Sequence, residues 1–318
     1  MKVTDHISRR NGKTLFTLEI LPPLKGENIE SIDQAIAPII EFNPSFIDVT
    51  YHREEIIYKQ REDGLLERRT IRKRPGTVGI SAAIKYKYNI DVVPHLICGG
   101  FTREETENAL IDLYFLGIHN LLLVRGDNPA GEKIFRPEKD GNAYAIDLVK
   151  QVIDMNSGIY LEEGLLNPKP TNFCIGVAGY PEKHIEAPNL MTDLAHLKAK
   201  VDAGAQYIVT QMFFENSRFF EFEAACREIG IKVPIIPGIK PVSMKSQLNV
   251  LPKTFAIDLP EDLVKEMEKC SDNQQVRQVG VEWAIMQSRE LIRHNVPVLH
   301  FYSMGKSDNI RKIVKEVF

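Results

Sequence analysis

Along the chain, short and almost continuous apolar runs give way to stretches with apolar residues three or four positions apart. The first pattern reads as buried parallel strands and the second as amphipathic helices laid over them. Thr14 to Ile20 is the first strand, stopped by Pro22-Pro23, which can continue neither a ladder nor a helix. Glu27 to Phe42 follows, with Ile29, Ile32, Ile36, Ile39 and Ile40 at helical spacing. Phe46 to His52 is the second strand, and a helical segment that includes Arg68 to Arg74 and Ser81 to Tyr88 is expected after it. Val92 to Cys98 precedes a helix from Arg103 to Leu116, which Thr102 and Glu105 open as a capping box and Gly117 closes.

The alternation continues with Leu121 to Asp127 and the helix Tyr144 to Met155, then Cys174 to Tyr180 and the helix Met191 to Ala203. Asn156 to Asn172, rich in Gly, Pro and Asn, reads as an exposed excursion between these units. Tyr207 to Phe214 pairs with Phe219 to Ile229, and Pro234 to Val242 with several helical pieces, among them Glu261 to Lys269 and Gln275 to His294. Val298 to Met304 and Asn309 to Val317 complete the series. About eight strand-helix units in a chain of this size predict an α/β protein, a (β/α)8 TIM barrel of ~250 residues with additional helices, as a single domain over 1–318. A doubly wound sheet with a terminal helical domain is the rival. The barrel has one large consequence: the strand ends share one mouth, and they carry Glu19, Thr50 with Tyr51, His95, Arg125 with Asp127, Tyr180, Gln211 and Tyr302.

Composition narrows the class. The 318 residues are 43% hydrophobic and 26% charged, in the ordinary globular range. The formal net charge of −3 offers no field for a nucleic-acid backbone. Cys98, Cys174, Cys226 and Cys270 have no metal spacing and fit free thiols in a reducing compartment. With neither a signal peptide nor a membrane span visible, a cytoplasmic location is expected. That weakens a cell-adhesion reading of Arg125-Gly126-Asp127.

Among the strand ends, Glu19 is the candidate general acid, since apolar Leu18 and Ile20 and the rigid Pro22-Pro23 predict partial desolvation and a raised pKa. A surface glutamate is the plain alternative. Asp127 should stay ionised beside Arg125, which separates the two acids into a proton donor and an electrostatic group. His95 could bond a cofactor or be a satisfied core histidine. His184 and His196 lack zinc spacing, so no metal is expected. There is no Walker loop, no Gly-x-Gly-x-x-Gly, no Gly-x-Ser-x-Gly elbow and no kinase set. Any dinucleotide must be held by barrel loops.

Leu18-Glu19-Ile20-Leu21-Pro22-Pro23, Asp48-Val49-Thr50-Tyr51, Pro94-His95-Leu96, Arg125-Gly126-Asp127, Tyr180-Pro181-Glu182 with His184, Lys200 to Ala205, Thr210-Gln211 with Phe213-Phe214, Pro237-Gly238-Ile239 and His300-Phe301-Tyr302 appear in this order. The ordered set, from about Thr14 to about Lys306, resembles the methylenetetrahydrofolate reductase family. The resemblance implies a barrel flavoprotein that binds FAD, takes a hydride from NADH or NADPH and reduces 5,10-methylenetetrahydrofolate to 5-methyltetrahydrofolate by ping-pong kinetics. It implies that Thr50, His95, Arg125, Gly126 and Asp127 line the flavin, and that Tyr144, Ala145, Tyr180, His184, Asp193 and Lys200 hold its ribityl, phosphate and adenosine parts. Gln211 and Asp127 would address the pterin, with Gln247 nearby. Glu19 would protonate the folate as its ring opens to a cationic iminium, which Asp127 would stabilise.

Two departures stand out. Leu251 falls where many bacterial members carry a stacking phenylalanine, and Lys306 where they carry an arginine, so a folate carboxylate would meet a point charge rather than a fork. The resemblance also leads us to expect no C-terminal regulatory domain of the eukaryotic kind. The amphipathic helices leave a homo-oligomer open. Proline dehydrogenase-like flavoproteins, flavin-free barrels that move a methyl group to a corrinoid protein, and a scaffold barrel without chemistry are the rivals; Glu19 with Asp127 argues against the last, and the phosphate-holding set against the second.

Overall fold

A computed structural model describes residues 1–128, 134–303, 305 and 307–318. Eight parallel strands close into a barrel: β1 (Leu15–Ile20), β2 (Phe46–Val49), β5 (Asp91–Ile97), β6 (Asn120–Val124), β7 (Cys174–Gly179), β8 (Tyr207–Met212), β9 (Ile235–Ile239) and β10 (Val298–Tyr302). β1 joins β10 on one side and β2 on the other, in a register that sets Glu19 beside both Tyr302 and Asp48. The sequence-read strands and helices are found with ends shifted by a few residues, except for the helical segment expected over Arg68 to Arg74. The helices include α2 (Ile29–Ile40), α4 (Arg103–Phe115), α5 (Ala145–Asn156), α6 (Leu190–Asp202), α10 (Asn273–Arg293) and α11 (Asp308–Val317). The capping box at Thr102 forms as expected, and Gly117 takes the left-handed backbone that ends α4.

Strand periodicity sorts the side chains into two cores. Outward residues such as Leu18, Val49, Leu123, Val177 and Ile239 pack beneath the helices. Inward residues fill the lower barrel with Phe46, Val93, Leu122, Cys174, Tyr207, Val209, Ile236 and Val298. Tyr207 is fully buried there, and its hydroxyl donates to Leu121 O at 2.9 Å. A β-carbon on Gly176 would run into that ring, so the glycine makes room for it. The bottom is plugged by a helix absent from the sequence reading, α1 (Val3–Ser8), whose fully buried Val3 donates its N–H to Asn120. Burying an aliphatic side chain of this size contributes about 1.5–3 kcal/mol.

One expectation is overturned. Arg68 to Arg74 does not lie in a helix: β3 (Glu55–Gln60) and β4 (Leu66–Ile71) form an exposed antiparallel hairpin, and only α3 (Thr77–Tyr88) is helical. Gly64 at φ +81° turns the chain after Asp63, and Tyr58 faces Arg68 while Ile56 faces Thr70. The glutamates and arginines favour helix by propensity, but the Asp63-Gly64 turn and cross-strand pairing decide. Between β9 and α10, α8 (Gln247–Phe255) and α9 (Glu261–Lys269) add a satellite core of Met212, Phe214, Val242, Leu251, Ile257, Leu263 and Met267.

Candidate functional site

Above the apolar plug the inward positions turn polar. Glu19 ends β1 with its side chain 12% exposed. Its Oε2 lies 3.9 Å from His95 Nε2 on β5 and 3.9 Å from His300 Nε2 on β10. Behind it, fully buried Asp48 on β2 stands 3.5 Å from His95 Nε2 and 3.7 Å from His300 Nδ1. These are ion-pair distances, longer than hydrogen bonds. Asp48 Oδ1, His95 Nε2 and both His300 nitrogens accordingly have no hydrogen-bond partner among the described residues. Burial disfavours a charged His300, yet Asp48 and then Glu19 outweigh it and hold the ring above the usual histidine value. Tyr302 closes this side by donating to Thr210 O at 2.7 Å, and Gly238 leaves room for its ring, which a β-carbon there would meet at 2.6 Å.

On the opposite side of the mouth Arg125, Glu186, His184, Asp193 and Lys200 are hydrogen-bonded. Arg125, just past β6, makes a two-pronged pair with Glu186 at 2.5 and 2.7 Å, while its guanidinium lies 4.8 Å from the Phe135 ring. Gly126 adopts φ +84°, packed against Ile97. In the loop after β7, Tyr180 meets His184 edge-on with ring centroids 4.7 Å apart. His184 Nδ1 accepts the Glu186 N–H at 3.1 Å, and Asp193 accepts the His184 N–H at 2.9 Å. Lys200 reaches back from α6 and donates to Ala178 O at 2.8 Å. Burial pushes its ammonium down to about 8 against the pull of Asp193.

The remaining sequence candidates spread around the rim. Thr50 is half-buried at the end of β2, with its hydroxyl 3.2 Å from His52 Nε2. Asp127 is exposed on the rim. Tyr144 is 62% exposed at the cap of α5, with Ala145 beside it. Gln211 uses its oxygen to accept Met212 N–H at 2.9 Å, which leaves its amide NH2 as a donor. Gln247 is buried and accepts the N–H groups of Ser243 and Met244, so it caps its own loop. Leu251 is buried in the satellite core, on which Tyr302 also packs. Lys306 lies outside the described residues.

Four groups escaped the residue-level reading. Asp48 and His300 sit two positions before Thr50 and Tyr302, one inward step deeper in the barrel. Lys240 shares the inward phase of Ile236 and Gly238 on β9, is 5% exposed, and is pushed down to about 8 by burial, which Glu19 opposes. Counting back by twos from Tyr302 and Thr50, or on by two from Gly238, would have found all three. Glu186 has no such signal, because a loop brings it to Arg125.

A parallel barrel that gathers two carboxylates, two histidines and a lysine at the C-terminal ends of its strands belongs to the enzymatic class of this fold. The family model described as methylenetetrahydrofolate reductase matches residues 2–317, and the chain belongs to that family. It is 32% identical over 317 residues to "Methylenetetrahydrofolate reductase (NADH) 1" of Arabidopsis thaliana, covering 96% of this chain and 49% of the relative. It is 30% identical over 298 residues to "5,10-methylenetetrahydrofolate reductase" of Salmonella typhimurium, covering 93% of this chain and 88% of that one. The chain thus spans about half the length of the plant relative and most of the bacterial one. A solved structure described as an uncharacterized protein from Clostridium thermocellum that binds two copies of 5-methyl-5,6,7,8-tetrahydrofolic acid superposes with TM-score 0.58 at 15% identity. The two chains are covered to 99% and 97%, and that likeness shows the shared fold.

Proposed function

We propose that this protein reduces 5,10-methylenetetrahydrofolate to 5-methyltetrahydrofolate with electrons from NADH or NADPH and FAD held at the barrel mouth. The observation that carries this reading is the division of the mouth within a chain of this family: a buried acid-imidazole group on one side and a cation-bearing cradle on the other. The residues present fit a flavin. His95 Nε2 is an orphaned polar atom at the mouth. His184 and Lys200 supply donors for a pyrophosphate that no glycine motif here could hold, and Arg125 lines the flavin. When bound, the flavin would supply hydride transfer from nicotinamide to folate.

The chain's own residues manage the proton and the charge. Glu19, only slightly exposed at the end of β1, gives a proton to the folate nitrogen as its bond to the one-carbon unit breaks. The Asp127 carboxylate on the rim faces the positive charge that develops on the folate. The free NH2 of Gln211 donates to the pterin edge, and Gln247 with Leu251 shapes the neighbouring wall. Thr50, Tyr144, Ala145, Tyr180 and Asp193 complete the flavin contacts. The four free, buried cysteines suit a reducing compartment such as the cytoplasm. Among the described residues no helix is long and apolar enough to cross a membrane.

The test is colour. The purified protein should be yellow, bleach without oxygen on adding NAD(P)H, and regain colour on adding methylenetetrahydrofolate. A colourless protein that FAD cannot reconstitute would sink the proposal.

A further inference from the structure

His300 is a buried titratable group without a task in this scheme. It faces into the barrel from β10, fully buried, with neither ring nitrogen hydrogen-bonded to a described group. Its Nε2 is 3.9 Å from Glu19 Oε2 and its Nδ1 is 3.7 Å from Asp48 Oδ2. The imidazole therefore stands between two carboxylates, one open to the mouth and one sealed inside. Asp48 is fixed in turn by Thr17, whose hydroxyl lies 3.1 Å from Oδ2.

Reducing the folate consumes one proton with each hydride. A glutamate carboxyl in water holds its proton only below about 4.3, whereas an imidazole holds one to about 6.5. At neutral pH the imidazole is the better store, and the carboxyl the better placed donor. We propose that His300, held by Asp48, stores the proton that Glu19 delivers to the substrate, an assignment that rests on the reading of Glu19 as the folate's acid. Glu19 takes the Nε2 proton of His300 and gives a proton to the folate nitrogen. The bond from that nitrogen to the one-carbon unit breaks with its electron pair retained on nitrogen. His300 is left neutral and is recharged from solvent through Glu19 once the product leaves, so each turnover draws one proton from water. His300 is here a positioning and storage residue; Glu19 alone touches the substrate.

The groups facing His300 are Glu19 from β1, Asp48 from β2 and Tyr302 on its own strand, with ring centroids 4.9 Å apart; His95 from β5 meets the same two carboxylates, and Lys240 from β9 feels Glu19. His95 approaches both carboxylates through the same nitrogen, Nε2, so it cannot pass a proton between them. His300 presents a different nitrogen to each. Among the described residues Lys240 feels Glu19 and no second carboxylate. The pull of Asp48 and then of Glu19 outweighs burial and holds the ring above the usual histidine value.

Two measurements test the assignment. Stopped-flow reoxidation of the reduced protein by methylenetetrahydrofolate is followed across pH in the wild type, His300→Gln and Lys240→Met. Separately, NMR of protein carrying 13C-labelled histidine follows the His300 ring through a titration without substrate, in the wild type, Glu19→Gln and Asp48→Asn. We expect the folate step to fall on the alkaline side in the wild type and in Lys240→Met. His300→Gln should lose that limb and slow the step roughly a hundredfold. The His300 ring should titrate above the usual value and move down in both carboxylate variants. His300→Gln with a normal rate and an intact alkaline limb, loss of the limb in Lys240→Met alone, or a ring indifferent to both carboxylates would each overturn the proposal. If His300→Gln fails to fold, the titration in the wild type and Glu19→Gln still decides. A protein that takes electrons from NAD(P)H but is inert toward the folate refutes the activity itself; one that reduces folate with no part for His300 refutes only this assignment.

Discussion

The two sides of the barrel mouth hold their charges in opposite ways. Around Glu19, Asp48, His95 and His300 the charged atoms are 3.5–3.9 Å apart and leave buried nitrogens and an oxygen without hydrogen bonds. Around Arg125, Glu186, His184 and Asp193 the contacts run from 2.5 to 3.1 Å and each side chain has a partner. An unsatisfied buried group is costly, so it persists only where the surrounding strands fix it. Rigid β-strands supply that fixing for the group around Glu19. The strand side therefore suits proton chemistry, whose groups must change state, and the loop side suits binding, whose groups wait in hydrogen bonds that a ligand can replace.

The largest test of this contrast is Glu19→Gln. It should slow folate reduction by about 10²–10⁴-fold, the usual weight of a general acid, while NAD(P)H still bleaches the flavin. Equal loss in both half-reactions, seen by stopped flow, would mean that the two sides are not separate in function.

On the loop side Lys200→Met removes a charge-assisted donor, which we expect to weaken flavin binding by about 1.5–3 kcal/mol, or roughly 10–150-fold. Fluorescence titration of the apoprotein would measure it. The same residue sets a pH dependence. Its folded value of about 8 lies below the ordinary lysine value, about 10.4 in an unfolded chain, so the fold carries a cost while the ammonium is charged. Between these values the unfolded chain binds more protons, and stability from this group rises with pH. The cation offered to a phosphate is lost over the same range. Flavin affinity should thus fall as pH rises through about 8, and should not do so in Lys200→Met.

The smallest effect belongs to Glu186→Gln. Glu186 is 42% exposed, and an ion pair so open to water contributes only about 0.2–1 kcal/mol. Releasing Arg125 should tighten flavin binding no more than a few-fold in the same titration. A tenfold or greater gain would show that the pair restrains the cradle strongly and that the loop side is under more strain than its hydrogen bonds suggest.

How much of this was legible in the chain follows from periodicity. Leu18, Glu19 and Ile20 show an acid between two apolar neighbours, and period-2 alternation alone turns that acid into the barrel. The capping box at Thr102 and the stop at Gly117 are likewise local and were readable. The hairpin around Gly64 was not, because its arginines and glutamates favour a helix in isolation and only the partner strand overrules them. His300 shows in the chain only as part of the His300-Phe301-Tyr302 motif, since nothing along the chain reveals that residue 300 stands between residues 19 and 48.

The sequence by itself determined the strand-helix alternation, the inward phase of Glu19, His95 and Gln211, and the family. These depend on local spacing, which the chain carries directly. Tertiary structure alone decided which inward residues meet. Closing the barrel sets β1 between β2 and β10, and that closure places the His300 ring between carboxylates contributed by the two strands beyond it. It also brought Glu186 onto Arg125 from a loop, and buried Lys240 at the mouth, where the loss of water lowers its hold on a proton.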